Sequence, residues 1–450
     1  MKRSSAVVAL RPLEPPRRET FTLSNGVTVH VVKRGALPLV SLRLLIQEGG
    51  AHDPASVPGL TDFTVRLLRR GAAGQSADQI AEAVDFVGAT LGAWASEDTV
   101  GVALQTPSRH LDSQLELLAA IATQPDFPDS EVELARRRTL AQLSNELDDP
   151  GSLAERALQR AVWGEHPYGI ELTGTQRSLE TLGRSALVER HRALFTPGRA
   201  CLYVVGDVEP AMVVARLESA LGSWKRPAAE LQPLPRFTRA KRAGQVTIVD
   251  KPEQSQVQVR LGASGIQRGH EDQIPLGVAN TALGGGFTSR LMREIRVKRG
   301  LSYGAGCHFE TLRVAGAFGF SSFTKTESTR ELVDIARAQI AGMKAKGPTA
   351  AELATVQRYL AGLYPTRLET NDAISGAIAD VDTYRLPSDW IEKYRDRVMA
   401  VTRERAAEVV ARHLPEPDAL ALVLVGNAKA IAPQVKDLGP VQVLAPKDLG

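Results

Sequence analysis

The first regular patterns along the chain are two short alternating runs. Residues 27–32 (VTVHVV) and 40–46 (VSLRLLI) place apolar side chains at every second position, and Gly35 and Pro38 punctuate the gap between them, which predicts two strands. Helical spacing then takes over across 59–68, 76–87, 108–122, 129–146 and 151–162. The composition of 90–104 predicts a strand pair between the second and third of these, and a strand over 200–205 ends at Gly206 and Asp207.

The same grammar returns about 219 residues later. VTIVD at Val246 echoes VTVHV at Val27, VQVRLGA at Val257 echoes VSLRLLI at Val40, and LVLVGNA at Leu422 echoes LYVVGDV at Leu202. Three matches in order at nearly one offset predict a duplication, hence two homologous α+β domains. Helices outnumber strands, and the strands mostly alternate instead of reading as continuous apolar runs, so each domain is expected to be a mainly antiparallel sheet with helices on one face. The expected boundaries are an arm over 1–20, a first domain over 21–226, a proline-rich basic linker over 227–243 and a second domain over 244–450.

One stretch of the second half concentrates candidate chemistry. Residues 284–303 read GGGFTSRLMREIRVKRGLSY: a glycine triplet enters a short helix in which Phe287, Leu291 and Ile295 recur every four residues, Thr288 or Ser289 can cap its start, and Gly300 ends it. Arg296 near the end of that helix and Tyr303, at the start of what reads as a strand, offer a forked cation and a phenol for one acceptor oxygen.

Composition narrows the function classes. At 450 residues the chain suggests more than one domain, and 43% hydrophobic with 24% charged residues are globular values. No window reaches the roughly 18 to 20 apolar residues of a membrane span. The basic start is followed by an apolar run of only 6–10 before Pro12, Pro15 and Pro16, shorter than a secretory core, so a cytoplasmic location is expected. Net charge is +4 and the pI about 9.0, but the arginines are scattered among acids, which argues against a nucleic-acid surface. Cys201 and Cys307 are too few for a disulfide framework or a thiolate zinc site. GGG lacks the Lys-Ser/Thr of a phosphate loop, VVGDV lacks the further glycines of a dinucleotide fold, and no G-x-S-x-G elbow occurs. His166, with Pro167 and Tyr168, reads as a structural loop, and the remaining histidines form no pair with metal spacing.

Taken together, VSLRLLIQEGGAHDPASVPGLTDF from Val40, GEHPYGIELTGTQRSLETL from Gly164, LGGGFTSRLMREIRVKRGLSYG from Leu283 and the duplicated layout resemble the pitrilysin-type zinc metallopeptidases, the inverzincins, in their short-subunit branch related to mitochondrial processing peptidase. The resemblance covers nearly the whole chain. It implies a clamshell of two such subunits closing on a peptide added as a strand to a sheet edge, with zinc in the first domain of the active subunit. It also implies that Arg296 and Tyr303 bind substrate carbonyls and stabilise the oxygen that gains charge.

The chain departs from that pattern at the metal site. Active members read G-L-A-H-x-x-E-H where this chain has Gly59, Leu60, Thr61, Asp62, Phe63, Thr64, Val65 and Arg66. Both histidines and the glutamate base are absent, and the distal glutamate ligand falls on Gln142, or on Ala141 in the neighbouring register. Zinc requires two imidazoles one helical turn apart and a carboxylate, so no metal is expected at these four positions. Asp62 and Arg66, acid first and four apart, are expected to form an ion pair filling the vacated pocket. The edge segment has also lost its Asn and Thr or Ser: Gly88 leads to Gly92, Ala93, Trp94 and Ala95, and Trp94 is expected to be packed. Arg69, Arg70 and 136–138 are expected to be solvated faces in preference to a binding site, with an acidic partner surface as the alternative.

The resemblance therefore implies the zinc-less subunit of a heterodimeric peptidase, with zinc and H-x-x-E-H in a homologous partner and peptide as substrate. Two alternatives stay open on sequence alone: a non-catalytic scaffold or peptide-binding protein of the same fold, and a metal held by Asp62 with an unrecognised ligand.

Overall fold

The structure is a computed structural model that describes residues 17–227, 230, 232–237 and 244–450. In the first half, β1 (Glu19–Thr22), β2 (Thr28–Lys33) and β3 (Leu39–Ile46) precede α1 (Leu60–Leu67). A two-residue hairpin of β4 (Gly71–Ala72) and β5 (Gln75–Ser76) leads into α2 (Ala77–Asp85), whose Ser76 and Gln79 form a capping box. Then come β6 (Thr90–Ala95), β7 (Val100–Pro107), α3 (Leu111–Thr123), α4 (Asp129–Asp148) and α5 (Pro150–Trp163), the last with Pro150 in its first turn and the Asp149 side chain as cap. The half closes with α6 (Gln176–Thr181), α7 (Arg184–Leu194), β8 (Ala200–Gly206) and α8 (Pro210–Leu221).

The second half repeats the order with β9 (Val246–Asp250), β10 (Gln256–Gly265), α9 (Gln273–Asn280), β11 (Ala305–Thr311), β12 (Gly316–Lys325), α10 (Thr329–Lys346) and α11 (Ala350–Leu363). It continues through α12 (Asn371–Thr383), α13 (Trp390–Met399), α14 (Arg403–His413), β13 (Ala421–Gly426), α15 (Ala428–Val435) and β14 (Val441–Leu444).

Each half builds one six-stranded sheet, ordered β1-β2-β8-β3-β7-β6 and β11-β12-β10-β13-β9-β14. Stripped of the extra strands β1 and β14, the two orders are the same: β2-β8-β3-β7-β6 corresponds to β9-β13-β10-β12-β11. In both, the first and last strands of the repeat unit pair in parallel and the other pairs of the unit are antiparallel. The duplication read from three sequence echoes is thus a duplication of topology, and the α+β class holds.

Within each half the helices lie on one face, as the alternation predicts. Val29, Val31, Leu42, Leu44, Val102 and Leu104 meet helices α1, α3 and α7 in one core, and Val259, Leu261, Phe318 and Phe320 meet α9, α10 and α14 in the other. The opposite faces are also covered, each by a helix from the other half. Leu153, Ala157, Leu158 and Val162 of α5 pack on Val249, Val423 and Val425 of the second sheet. Reciprocally, Ile374 and Ile378 of α12 pack on Leu45, Tyr203 and Val205 of the first. This is why β8 and β13 are buried almost along their full length.

The hairpin turns β6–β7 and β11–β12 meet at the seam. Asp98, fully buried, accepts from the Tyr168 hydroxyl (2.7 Å) and from the Arg313 backbone N–H (2.9 Å), while the Arg313 guanidinium donates to the Asp98 carbonyl (3.0 Å) and to Gln47 (3.2 Å). His166 is structural, as expected: Nδ1 accepts from the Tyr168 N–H (3.2 Å), which leaves Nε2 to donate to Pro235 (3.0 Å), and Phe237 packs edge-on against Trp163. These described residues of the expected linker are therefore seated on the first half.

One boundary needs correction. Glu19 and Thr20, assigned by sequence to the arm, pair with Val31 and His30 in β1, and Arg18 is bonded to Asp382. ETFT carries one apolar residue, so its strand depends on the β2 edge and not on a pattern of its own. Residues 1–16 of that arm lie outside the described residues. Among the described residues, no helix is long and apolar enough to cross a membrane.

Candidate functional site

Helix α1 carries the positions where the resemblance places a metal. Phe63, Val65 and Leu67 are buried in the core, which leaves Asp62 and Arg66 one turn apart on the flank facing β6 and α4. Arg66 Nε donates to Asp62 Oδ2 at 2.5 Å and Arg66 Nη1 reaches Gln142 Oε1 at 3.4 Å; Gln142 in turn donates to Glu146 (2.8 Å). The predicted ion pair is present, and of the two registers left open it is Gln142, not Ala141, that meets α1. Burial pushes the Asp62 carboxyl above the usual carboxylate range, with the Arg66 guanidinium pulling the other way. Val65 is 1% exposed and points away from the cleft.

These residues do not fit zinc. The site offers no imidazole, its one first-turn carboxylate is already bound to a guanidinium, and Arg69, Arg70 and Arg138 line the same cavity of about 390 Å3. A divalent cation there would meet positive charge from several sides.

The helix is held by a buried network that sequence reasoning missed. Asp53 accepts from the Thr61 N–H (3.0 Å) and hydroxyl (2.5 Å), Arg190 donates to Thr61 Oγ1 and to Glu48 (both 2.8 Å), and Arg199 also pairs with Glu48. Its members lie far apart in sequence, and only the Asp53 cap of an N-terminus has a local signature. Outside it, β6 is the edge of the sheet and pairs with β7 alone. Trp94 packs as expected, its ring against Gly101 and under the Arg43 guanidinium (4.9 Å).

The second candidate lies on the 284–303 stretch. The helix predicted there is wider than an α-helix: 281–285 and 292–297 have π-type turns, and Lys298 N–H bonds back to Arg293 (3.0 Å), five residues away. A Cβ on Gly284 would lie 2.6 Å from Cys307 Sγ, so the first glycine of the triplet is required by close packing on β11. Gly300 stops the helix in the left-handed region at φ 62°. Leu291 and Ile295 are buried, whereas Phe287, predicted to share their stripe, is 72% exposed. Its ring instead covers the Arg296 guanidinium at 4.7 Å.

The surrounding cations are committed. Arg290 makes a two-pronged bond to Glu352 (2.7 Å each), Lys298 and Arg299 bind Glu294 (2.6 and 2.8 Å), and Arg293 is 3.9 Å from the same carboxylate. Among the described residues the Arg296 side chain has no ion pair or hydrogen bond. Tyr303 is 83% exposed, likewise without a hydrogen-bond partner, and sits ahead of β11 in a turn held by Ser302, not in the strand expected for it. A preorganised guanidinium and a free phenol thus stand on one short segment. Among the described residues no hydrogen bond joins them to Asp62 or Arg66. A cavity of about 580 Å3 between β11 and α13 is lined by neither Arg296 nor Tyr303.

One cluster departs from the sequence reading of the histidines. His270, Asp272 and His413 come within 4.8 Å of one another, although 143 residues separate the two histidines. The Asp272 carboxylate also binds Arg405 and Arg412 (3.2 Å), so its lone pairs are taken by cations and the group serves to tie α14 to α9.

Comparison with known proteins agrees with this geometry. Residues 31–176 match the family described as insulinase, peptidase family M16, and residues 181–360 match the peptidase M16 inactive domain. An uncharacterized zinc protease of Bacillus subtilis, YmxG, is 23% identical over 405 residues, covering 90% of this chain and 97% of that protein. An uncharacterized zinc protease of Mycobacterium tuberculosis is 27% identical over 403 residues, with 89% and 90% covered. Among solved structures, a peptidase M16 inactive domain from Pseudomonas fluorescens superposes with a TM-score of 0.85 at 27% identity, covering 91% of this chain and 98% of its own. A protease from Helicobacter pylori shares the fold, with a TM-score of 0.83 at 20% identity over 92% and 100% of the two chains. With two consecutive matches to halves of one family and a superposable two-sheet fold, the chain belongs to the M16, pitrilysin-type, peptidase family.

Proposed function

We propose that this chain is the zinc-less subunit of a heterodimeric metallopeptidase. In this reading a homologous H-x-x-E-H-bearing partner contributes metal, general base and peptide-binding edge, and this chain contributes half of a clamshell chamber together with Arg296 and Tyr303. The observation that carries it is the contrast between the two candidate sites. Arg296 alone among five neighbouring cations has no acidic partner and is braced by Phe287 beside an exposed Tyr303, whereas Asp62 is neutralised by Arg66. An arginine and a tyrosine that reach a substrate carbonyl donate hydrogen bonds most strongly once its oxygen gains negative charge, which lowers the barrier. The domain boundaries expected from sequence belong to this reading, with the arm ending before β1.

The test mixes the purified chain with an H-x-x-E-H-bearing homologue from the same genome and follows cleavage of a quenched peptide. Activity is expected only in the mixture, and Arg296→Ala is expected to lower kcat by roughly 10²–10³-fold, the usual loss of one such donor. Full activity of the partner alone, unchanged by Arg296→Ala in this chain, would refute the proposal.

A further inference from the structure

The cavity of about 580 Å3 beside β11 is closed by α9, α12, α13, the end of α11 and the short turn over Tyr364–Leu368. Its wall is largely apolar, with Ile274, Phe309, Leu360, Trp390 and Ile391 among the side chains that line it. Gly277 of α9 also lines it, and a Cβ added there would meet nothing within 4 Å, so the open space reaches the helix backbone. Concave sites of about 300–1,000 Å3 with apolar and aromatic walls and a few convergent polar groups are where small organic ligands bind.

The polar groups of the wall are not matched to one another. Its permanent charges are Arg268, Arg367 and Asp380. Arg268 is committed: it pairs with Asp380 and lies over the rings of Trp390 (5.6 Å) and Tyr384 (5.9 Å). Arg367 is left over. It is exposed and, among the described residues, has no ion pair or side-chain hydrogen bond. Its positive charge acts on Tyr364 and Tyr394, whose rings stack at 4.3 Å and whose hydroxyls have no hydrogen-bond partner among the described residues. Burial pushes both phenols up, that of Tyr364 to about 12, and outweighs the opposing pull of Arg367, so both keep their protons and can donate. The wall therefore carries one surplus positive charge and two phenolic donors.

A guanidinium fork beside hydroxyl donors suits the two oxygens of a carboxylate. A ligand with a second anionic group would find no second free cation in the wall, and a cationic ligand would meet Arg367 and Arg268. We propose that this cavity binds a small monocarboxylate with an apolar, ring-bearing body, its carboxylate on Arg367 beside the Tyr364 and Tyr394 hydroxyls and its body against Phe309, Leu360 and Ile391. Neither Arg296, Tyr303 nor a partner chain takes part, so the site is independent of the heterodimer reading.

Isothermal titration calorimetry on the full chain tests it with phenylbutyrate, phenylbutanol and phenylbutylamine, which share one body and differ in the head group. Phenylbutyrate is expected to bind at a single site, roughly fivefold or more tighter than phenylbutanol, with phenylbutylamine weaker still. Gly277→Leu puts a side chain into the open space and is expected to weaken phenylbutyrate binding by roughly tenfold or more. Arg367→Gln, at an exposed position that does not threaten folding, is expected to weaken phenylbutyrate by about fivefold and to leave phenylbutanol as it is. Circular dichroism spectra identical to that of the unaltered chain show that both variants are folded, and if Gly277→Leu is not, Arg367→Gln decides. Equal affinity for the acid and the alcohol overturns the proposal, as does the absence of saturable phenylbutyrate binding. A folded Gly277→Leu or Arg367→Gln protein that binds phenylbutyrate as tightly as the unaltered chain also overturns it.

Discussion

Replacing Asp98 tests how firmly the two halves are joined. Its carboxylate is fully buried and accepts two hydrogen bonds, one from the Tyr168 hydroxyl of its own half and one across the seam from the Arg313 N–H, and Tyr168 Oη itself accepts across the seam from the Val314 N–H at 3.2 Å. Each charge-assisted bond contributes about 1.5–3 kcal/mol, and a buried donor left without an acceptor costs about 1–3 kcal/mol. Asp98→Ala removes both acceptors at once, so a loss of roughly 3–5 kcal/mol is expected. Asp98→Asn keeps one acceptor oxygen without the charge and should cost about 1–3 kcal/mol. Paired with Tyr168→Phe in a double-mutant cycle, Asp98→Ala should show a coupling of about 1–2 kcal/mol, because the two changes delete the same bond. Urea unfolding followed by circular dichroism and tryptophan fluorescence gives these values, and amide exchange at Arg313 and Val314 reports the seam locally. A loss below about 1 kcal/mol for Asp98→Ala, or additivity within about 0.5 kcal/mol in the cycle, would show that the Asp98 bonds do not help to hold the seam.

Two further outcomes follow from the same geometry. Burial, then the nearby carboxylates of Glu97, Glu155 and Asp98, push the Glu310 carboxyl up to about 7 from an ordinary value of 4.5; the folded state holds the proton more tightly, so Glu310 is stabilising at low pH and its contribution is lost as pH rises through about 7. Glu310→Gln should therefore raise the melting temperature at pH 8 and leave it nearly unchanged at pH 5, and equal shifts at both would contradict the assignment. Because the residues around Asp62 do not fit zinc, dialysis of the isolated chain against EDTA should leave its melting temperature within about 1 °C, whereas a drop of several degrees would return a metal to this half.

Much of the architecture was legible because its signals are local. Alternation marked β2 and β3, composition marked the β6–β7 pair, punctuation marked the turns, and the three echoes fixed the repeat, since each half folds by the same rules. The arm ran past its true end because β1 owes its pairing to a neighbour and not to its own pattern. What could not be read is relational. Nothing in the sequence of α5 or α12 says whose sheet it covers, and Glu48, Asp53, Thr61, Arg190 and Arg199 meet only after α1, α7 and the segments following β3 and preceding β8 have packed.

The candidate sites divide in the same way. The Asp62–Arg66 pair was readable as an i, i+4 spacing within one helix. The exposure of Phe287 was not, because it lies in the turn ahead of the helical residues that carry Leu291 and Ile295, where its ring is set over Arg296. Glu352, which anchors Arg290 and so steadies the approach to Arg296, sits on α11, 62 residues along the chain.

The crossing of α5 and α12 makes the repeat something other than two beads on a string. Each copy leaves one sheet face bare and finds its cover in the other, as two chains do in a domain-swapped dimer. Covalent continuity then keeps the two copies at high effective concentration, and the copies themselves do the joining. A single half made alone would present a bare apolar sheet face to water, so the unit that was duplicated and the unit that folds are of different sizes: one copy for the first, both for the second.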